Sequence, residues 1–220
     1  MTSTDKNHAI YLDHIFVLTE PGAEVADQLV QMGLVEGTRN NHPGQGTSNR
    51  RFFLNNFSIE LLYISDATEA KNGAGKNLNL YSRSDDPNLN PFGIISRVTN
   101  PGSVPEFRSW EYYPDFFNGS MCFYIGENSH NQTEPLCICM PPELPLKQIP
   151  EEYANHAWGL TSIQLEVPVD APTDELEYFS QMGNVEIVYG KPHKLIINLN
   201  GGVLEKELDL NPKLPLVLKW

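Results

Sequence analysis

A glutamate stands inside an apolar run in the first third of the chain. Glu60 lies in the segment SIELLYI, residues 58–64, whose other members are mostly apolar. Burying an unpaired carboxylate costs several kcal/mol, so Glu60 must be neutral or have a partner, and an arginine or a metal ion would serve. Counting outward from the turn Asn55-Asn56 places Arg51 opposite Glu60, where an ion pair would satisfy the carboxylate.

Further candidates precede this strand, in the segment HPGQGTSNRR. His42 and Gln45 belong to a glycine-containing turn whose backbone N–H groups can form an anion-binding nest, although a simple tight turn explains the same residues. Arg50 and Arg51 follow, and the planar guanidinium group matches a carboxylate. We therefore predict that His42, Gln45, Arg50 and Arg51 bind an oxygen-rich substrate.

The elements that position these residues occur as two similar segments. Residues 12–33 and 161–183 each contain an alternating apolar run, a break at proline and an amphipathic stretch that ends in Gln-Met-Gly. Strand-like segments separated by Asn and Gly turns follow, so each copy is predicted to run strand, helix, strand, strand, strand. Gly33 and Gly183 are positioned to end the two helices in a left-handed conformation.

Two such βαβββ units resemble the vicinal oxygen chelate superfamily, the fold of glyoxalases, bleomycin-resistance proteins and extradiol dioxygenases. The segments LDHIFVL, HPGQGTSNRRFF and IELLYISD carry the resemblance, which is closest to an uncharacterised glyoxalase-like branch and covers nearly the whole chain. It implies an α+β fold in which two βαβββ units form a curved mixed sheet, a half-barrel cup. The units are expected at residues 1–66 and 157–220, with a loop and inserted strands at 67–156, all within one structural domain.

The resemblance also implies a divalent metal in the cup. Carried over by strand position, it gives His14, Glu60, Gln164 and Glu205 as ligands, and Gln164 can shift to Ser162 on the same strand face. Histidine with oxygen ligands suits Zn, Ni, Co, Mn or Fe and does not choose between them. Glu60 or Glu205 would be ligand or general base in lyase or isomerase chemistry on a small substrate with vicinal oxygens.

The same residues also have structural explanations. A lone histidine on a strand, such as His14, is commonly a hydrogen-bonded core residue, and the alternation around Gln164 and Glu205 fits strands with one solvated face. The second unit has no histidine on its first strand, so an extradiol-type iron site needs His156 to contribute. The alternative function is a metal-free protein of the same fold that sequesters a small molecule, and a purely structural role is the third.

The composition of the chain favours a small molecule as its binding partner over nucleic acid or a membrane. The 220 residues carry a formal net charge of −13, which disfavours nucleic acid and anionic membranes. No run of about 18 apolar residues occurs, as a membrane span requires. The N-terminal segment lacks the apolar stretch of a signal peptide, and three cysteines without CxxC spacing fit free thiols. We therefore expect a cytoplasmic protein. A homodimer is compatible with the sequence.

Overall fold

Most of the regular structure of this chain is β-strand. The computed structural model describes residues 10–100, 102–143 and 149–220. Within these ranges fourteen strands form two mixed sheets, and the helices are few and short, so the fold is mixed α+β, as expected. The strands of the first sheet are β1 (Ile10–Thr19), β2 (Asn40–His42), β3 (Thr47–Leu54), β4 (Ser58–Ile64), β5 (Phe92–Val98), β6 (Ser109–Tyr112), β7 (Phe123–Gly126), β8 (Leu136–Met140) and β9 (Ala154–Asn155).

The second sheet and the helices complete the structure. The strands of the second sheet are β10 (Leu160–Val167), β11 (Val185–Tyr189), β12 (Lys194–Leu199), β13 (Glu207–Asp209) and β14 (Leu216–Lys219). The helices are α1 (Ala26–Met32), α2 (Ala67–Asn72), α3 (Leu80–Asp85) and α4 (Asp174–Ser180). None of the described helices is long and apolar enough to cross a membrane.

The first sheet repeats one strand order on either side of its centre. Its order is β2-β3-β4-β1-β5-β8-β7-β6, with β9 added to β3. The central strands β1 and β5 are antiparallel, while β1 is parallel to β4 and β5 is parallel to β8. Each half therefore has the order first, fourth, third and second strand, with one parallel and two antiparallel pairs.

The second predicted unit does not continue this sheet. Residues 157–220 contain the expected strand, helix, strand and strand, but they form a separate sheet of order β11-β10-β12-β14-β13. The strands that extend the first sheet instead come from residues 67–156, for which we predict a connecting loop with inserted strands and no place in either unit. The Gln-Met-Gly repeat marks where a helix ends, whereas strand pairing depends on contacts between distant segments, and such contacts leave no local pattern.

Alternating residues of β1 face two different cores. Ile15 and Val17 are fully buried in one core together with Ile163 and Leu165 of β10, so the second sheet packs against this face of the first. Phe16 points the other way and belongs to a second apolar cluster. Helices α1 and α4 also bury their apolar residues in the first core.

The ends of the helices follow the predicted signals in part. Gly33 follows α1 with a φ of 108°, in the left-handed conformation that glycine adopts without strain. In contrast, α4 ends at Gln181 before Gly183 is reached. The side chain of Thr173 caps the N-terminus of α4 by accepting a hydrogen bond from Leu176 N.

Candidate functional site

A cavity of about 820 Å³ lies on the face of the first sheet that points away from the second sheet. Its two halves differ in chemistry. Strands β1 to β4 supply most of the charged and polar side chains that line it, and we call this side the polar half. Strands β5, β7 and β8 supply most of its aliphatic wall, which we call the apolar half. The wall residues are Ile95, Phe123, Ile125, Leu136, Ile138 and Met140.

A β-bulge turns two successive residues of β1 toward this cavity. The pairing of β1 with β5 shifts register between Leu12 and His14. Leu12 is consequently buried in the core shared with the second sheet, while Asp13 and His14 both line the cavity. The bulge thus re-aims an acidic and a basic side chain to the same side of the sheet.

Asp13 joins His14 to Arg97 by hydrogen bonds. His14 Nδ1 lies 2.7 Å from Asp13 Oδ1, and Arg97 Nε donates to Asp13 Oδ2 over 2.9 Å. Burial alone would lower the pKa of His14, but the hydrogen bond to Asp13 and the negative charge of Glu60 raise it above its ordinary value. Burial alone would raise the pKa of Asp13, yet the bonds from His14 and Arg97 hold it below its ordinary value.

Glu60 faces the cavity rather than an apolar core. Its predicted cross-strand neighbour is correct, because Arg51 and Glu60 are register partners in β3 and β4. However, among the described residues Arg51 and Glu60 form no direct ion pair. Asn49 Nδ2 donates to Glu60 Oε2 over 3.1 Å, while Arg51 donates to Thr38 O and to Asn40 Oδ1. Glu60 is only half-buried, so cavity solvent can satisfy the rest of its carboxylate.

His42 and Gln45 belong to a hydrogen-bond network that joins the two ends of the first sheet. His42 Nδ1 lies 3.0 Å from Thr47 Oγ1, to which Gln45 Nε2 donates over 2.8 Å. Tyr112 of β6 donates to Gln45 Oε1 over 3.4 Å, and the Phe116 ring lies 5.1 Å from that of His42. Burial lowers the pKa of His42. Both predicted residues therefore line the cavity.

The turn at His42 to Gly46 already binds a carboxylate of this chain. Gly44 N donates to Glu69 Oε1 over 2.7 Å, and Gly46 O accepts from the backbone N–H groups of Ser65 and Asp66. The turn is thereby tied to the N-terminal part of α2. We predicted that this turn can form an anion-binding nest for a substrate. Its Gly44 N–H group is already bonded to Glu69.

Arg50 lies on the opposite face of the sheet from the cavity. Its guanidinium donates to Glu36, to Asp27 and to the carbonyl of Ala23, and so holds α1 and the following loop against β3. Arg50, predicted to bind substrate, therefore does not line the cavity, because successive residues of a strand point to opposite faces and Arg51 is the one that points into the cavity.

Gln164 and Glu205 do not join His14 and Glu60. Gln164 is on β10, where its neighbours Ile163 and Leu165 point into the core between the sheets, so Gln164 points away from the first sheet. Glu205 is exposed in the turn before β13, with a φ of 51°. The predicted set of four ligands is separated because the second unit covers the outer face of the first sheet. His156, the other candidate, pairs with Glu151 on the surface.

The residues of the cavity do not fit the metal implied by the resemblance. Within residues 10–100, 102–143 and 149–220, no three His, Cys, Asp or Glu side chains are grouped so that they can hold a metal ion. The half of the cavity that would supply two further ligands is instead aliphatic, with Ile95 on β5 and Ile138 on β8. Both carboxylate oxygens of Asp13 are already bonded, one to His14 and the other to Arg97.

Two residues of this site were missed in the sequence. Asp13 was visible next to His14, but a regular strand would have pointed it to the other face. Arg97 lies in a predicted inserted strand that was assigned to neither unit. Only the bulge and the pairing of β1 with β5 bring the two residues together.

Comparisons with known proteins bear on the fold. Neither a protein-family model nor a curated protein sequence matches this chain. The crystal structure of a hypothetical protein from Staphylococcus aureus is similar over 96% of this chain and 98% of that chain, with a TM-score of 0.59 and 12% sequence identity. At this identity the similarity concerns the fold alone. The mixed α+β arrangement of the whole chain therefore recurs in a second protein.

Proposed function

We propose that this chain is an enzyme of the vicinal oxygen chelate type whose half-barrel cup is the first sheet. The repeated strand order on the two sides of β1 and β5 supports this assignment. The cavity is then the substrate site, and it lies within the 300–1,000 Å³ range of typical small-molecule sites. The second sheet, packed on the outer face, is an addition to the cup and not its second half.

The observation that carries the proposed function is the Arg97–Asp13–His14 group at the polar half of the cavity. With Asp13 accepting from Nδ1–H, the lone pair of His14 is on Nε2, for which the described residues provide no hydrogen-bond partner. A histidine fixed in this tautomer by a carboxylate is suited to act as a general base. Arg97 in turn keeps Asp13 ionised and in position.

The chemistry we propose is proton transfer of the isomerase or lyase type. His14 Nε2 removes a proton from a carbon next to a carbonyl, the C–H electron pair forms the enolate double bond, and negative charge develops on the former carbonyl oxygen. Arg51 would hold that oxygen. Protonated His14 then returns the proton to a neighbouring carbon, or the electron pair expels a leaving group. Glu60 is the second carboxylate available for proton transfer. Since the residues do not fit a metal, no part of this scheme uses one.

Hydrogen–deuterium exchange tests this proposal without knowledge of the natural substrate. 2-Hydroxyacetophenone has vicinal oxygens, an apolar ring and exchangeable protons next to a carbonyl. In D2O, chelator-treated protein should accelerate the loss of its methylene proton signal. His14→Gln should reduce the acceleration by about 10²–10⁴-fold, the usual contribution of general acid–base catalysis.

A matched control is provided by a surface histidine. His156 is exposed and distant from the cavity lining, so His156→Gln should exchange the probe at the wild-type rate. Equal exchange by wild type and His14→Gln would reject His14 as the base. Exchange that appears only after a divalent metal is added would reject the metal-free scheme.

A second candidate function, sequestration of a small molecule without turnover, is favoured by the continuous aliphatic wall of the apolar half. Ile95, Ile125 and Ile138 offer contact area but no reactive group. Under this alternative 2-hydroxyacetophenone binds the protein, as measured by calorimetry, but its exchange rate stays that of buffer.

A further inference from the structure

Arg51 is a buried cation with one open edge. The residue is only 4% exposed, and its Nε and Nη2 donate to Thr38 O and Asn40 Oδ1. Among the described residues Nη1 has no partner, and Arg51 lines the cavity. The guanidinium also lies 5.1 Å from the centre of the Phe53 ring, which fixes its plane.

The other buried arginines differ from Arg51 in their partners. Arg50 is paired with Glu36 and Asp27, and Arg97 is paired with Asp13. Arg83 is held by three backbone carbonyls away from the cavity lining. Arg51 is thus the cavity-lining arginine that has no acidic ion-pair partner in the described part of the chain. A buried charge is costly unless it is paired, so this position favours a ligand that supplies the negative charge.

The charges around Arg51 limit what that ligand can be. The polar half carries two arginines, Arg51 and Arg97, and two acidic residues, Asp13 and Glu60, so its formal charge is zero with neutral histidines. A second negative charge on the ligand would lie close to both carboxylates. A ligand with a single carboxylate fits this site best, because the carboxylate can bond to the unpaired Nη1 of Arg51 and adds only one negative charge to the polar half.

We propose, building on the proposed function, that the substrate class is an apolar monocarboxylate. Its carboxylate accepts a hydrogen bond from one N–H of Arg51 Nη1, which leaves the second N–H of Nη1 for the enolate oxygen of the proposed reaction. Its hydrocarbon body lies on Ile95, Ile125 and Ile138. The division of the cavity into a polar and an apolar half matches a molecule with one charged end.

The test compares two ligands of equal size by calorimetry. Octanoate and octanamide share the same chain and differ in charge. Wild-type protein should bind octanoate at least about tenfold more tightly than octanamide, a modest value for a charge-assisted hydrogen bond. Arg51→Met should reduce this ratio to about one while octanamide binds as before. Arg51→Lys should retain part of the preference, and it serves as the second variant if Arg51→Met does not fold.

Arg39→Met is the matched control, because it removes the same charge from an exposed site outside the cavity lining. It should leave the ratio unchanged. A wild-type ratio near one, a ratio that survives Arg51→Met, or the absence of binding by octanoate would each overturn the monocarboxylate class. None of these outcomes alters the exchange of the neutral probe 2-hydroxyacetophenone, so failure of this inference is distinguishable from failure of the proposed function.

Discussion

At the scale of single residues, adjacent side chains in this protein have opposite environments. Arg50 and Arg51 are neighbours in the sequence, yet one holds α1 by ion pairs and the other faces the cavity. Asp13 and His14 are neighbours that face the same side, because the bulge in β1 breaks the alternation. Local backbone geometry, rather than residue type, therefore decides which of these charges is available to a ligand.

The pKa values of the two cavity histidines should be shifted in opposite directions. We expect NMR titration to give His14 a pKa above the ordinary value of 6.5 and His42 a pKa below it. Asp13→Asn should lower the pKa of His14, because the hydrogen bond and the negative charge that favour imidazolium are lost. The pKa of His42 should change little in Asp13→Asn, because burial is the main cause of its shift.

The sign of the His14 effect on stability follows from this shift. A pKa raised by folding stabilises the folded state fully below the unfolded value of 6.5, and this contribution is lost as the pH rises through the folded-state pKa. The free energy of unfolding of wild type relative to His14→Gln should therefore decrease between mildly acidic and alkaline pH. A flat difference over this range would contradict the raised pKa.

At the scale of elements, the turn between β2 and β3 is held by α2. Gly46 has a φ of 70°, and its backbone lies against Asp66 and Ala70 at the start of that helix. The turn carries Gln45 into the cavity, so its packing on α2 positions one part of the polar half.

Alanine at Gly46 should be more costly than alanine at Gly22. Both glycines have positive φ, but a Cβ at Gly46 would collide with Ala70 N and Asp66 O, whereas a Cβ at Gly22 meets nothing within 4 Å. We expect Gly22→Ala to lose about 1–2 kcal/mol from backbone strain alone. Gly46→Ala adds overpacking and should lose about 2–5 kcal/mol in all. Urea unfolding of both variants measures the difference, and equal losses would contradict the contact with α2.

At the scale of the whole molecule, one core joins the two sheets. Residues of β1, β4 and β5 share it with residues of β10 and β12, so neither sheet buries this face without the other. The second sheet is therefore required for the stability of the first sheet, although none of its residues lines the cavity.

Truncation of a core leucine in the second sheet should destabilise both sheets together. Leu165 is fully buried against the first sheet, and Leu165→Ala should cost about 2–5 kcal/mol, the usual range for such a change. Far-UV circular dichroism and the fluorescence of Trp110, in the first sheet, should report the same unfolding midpoint in a background with Trp158→Phe and Trp220→Phe, because those two side chains also fluoresce. Trp110 unfolding at a higher denaturant concentration than the second sheet would indicate that the two sheets are independent.

Much of the local structure can be predicted from short stretches of the chain. Alternation of apolar residues predicted β1 and β10. The turn at Asn55-Asn56 predicted β3 and β4 on its two sides and the register that pairs Arg51 with Glu60. The sequence also predicted His14, His42, Gln45, Arg51 and Glu60, all of which line one cavity. These predictions succeed because strand periodicity and tight turns are properties of a few consecutive residues.

Which strands pair in one sheet is known only from the three-dimensional fold. The pairing of β1 with β5 brings Arg97 to Asp13, and the separate sheet of residues 157–220 removes Gln164 and Glu205 from the cavity. Nothing in the local pattern of β10 distinguishes a strand that lines a cavity from one that covers the outside, because both alternate apolar and polar residues. Pairing between strands distant in sequence is fixed by how the apolar faces of the complete chain are buried, and that is a property of the assembled fold.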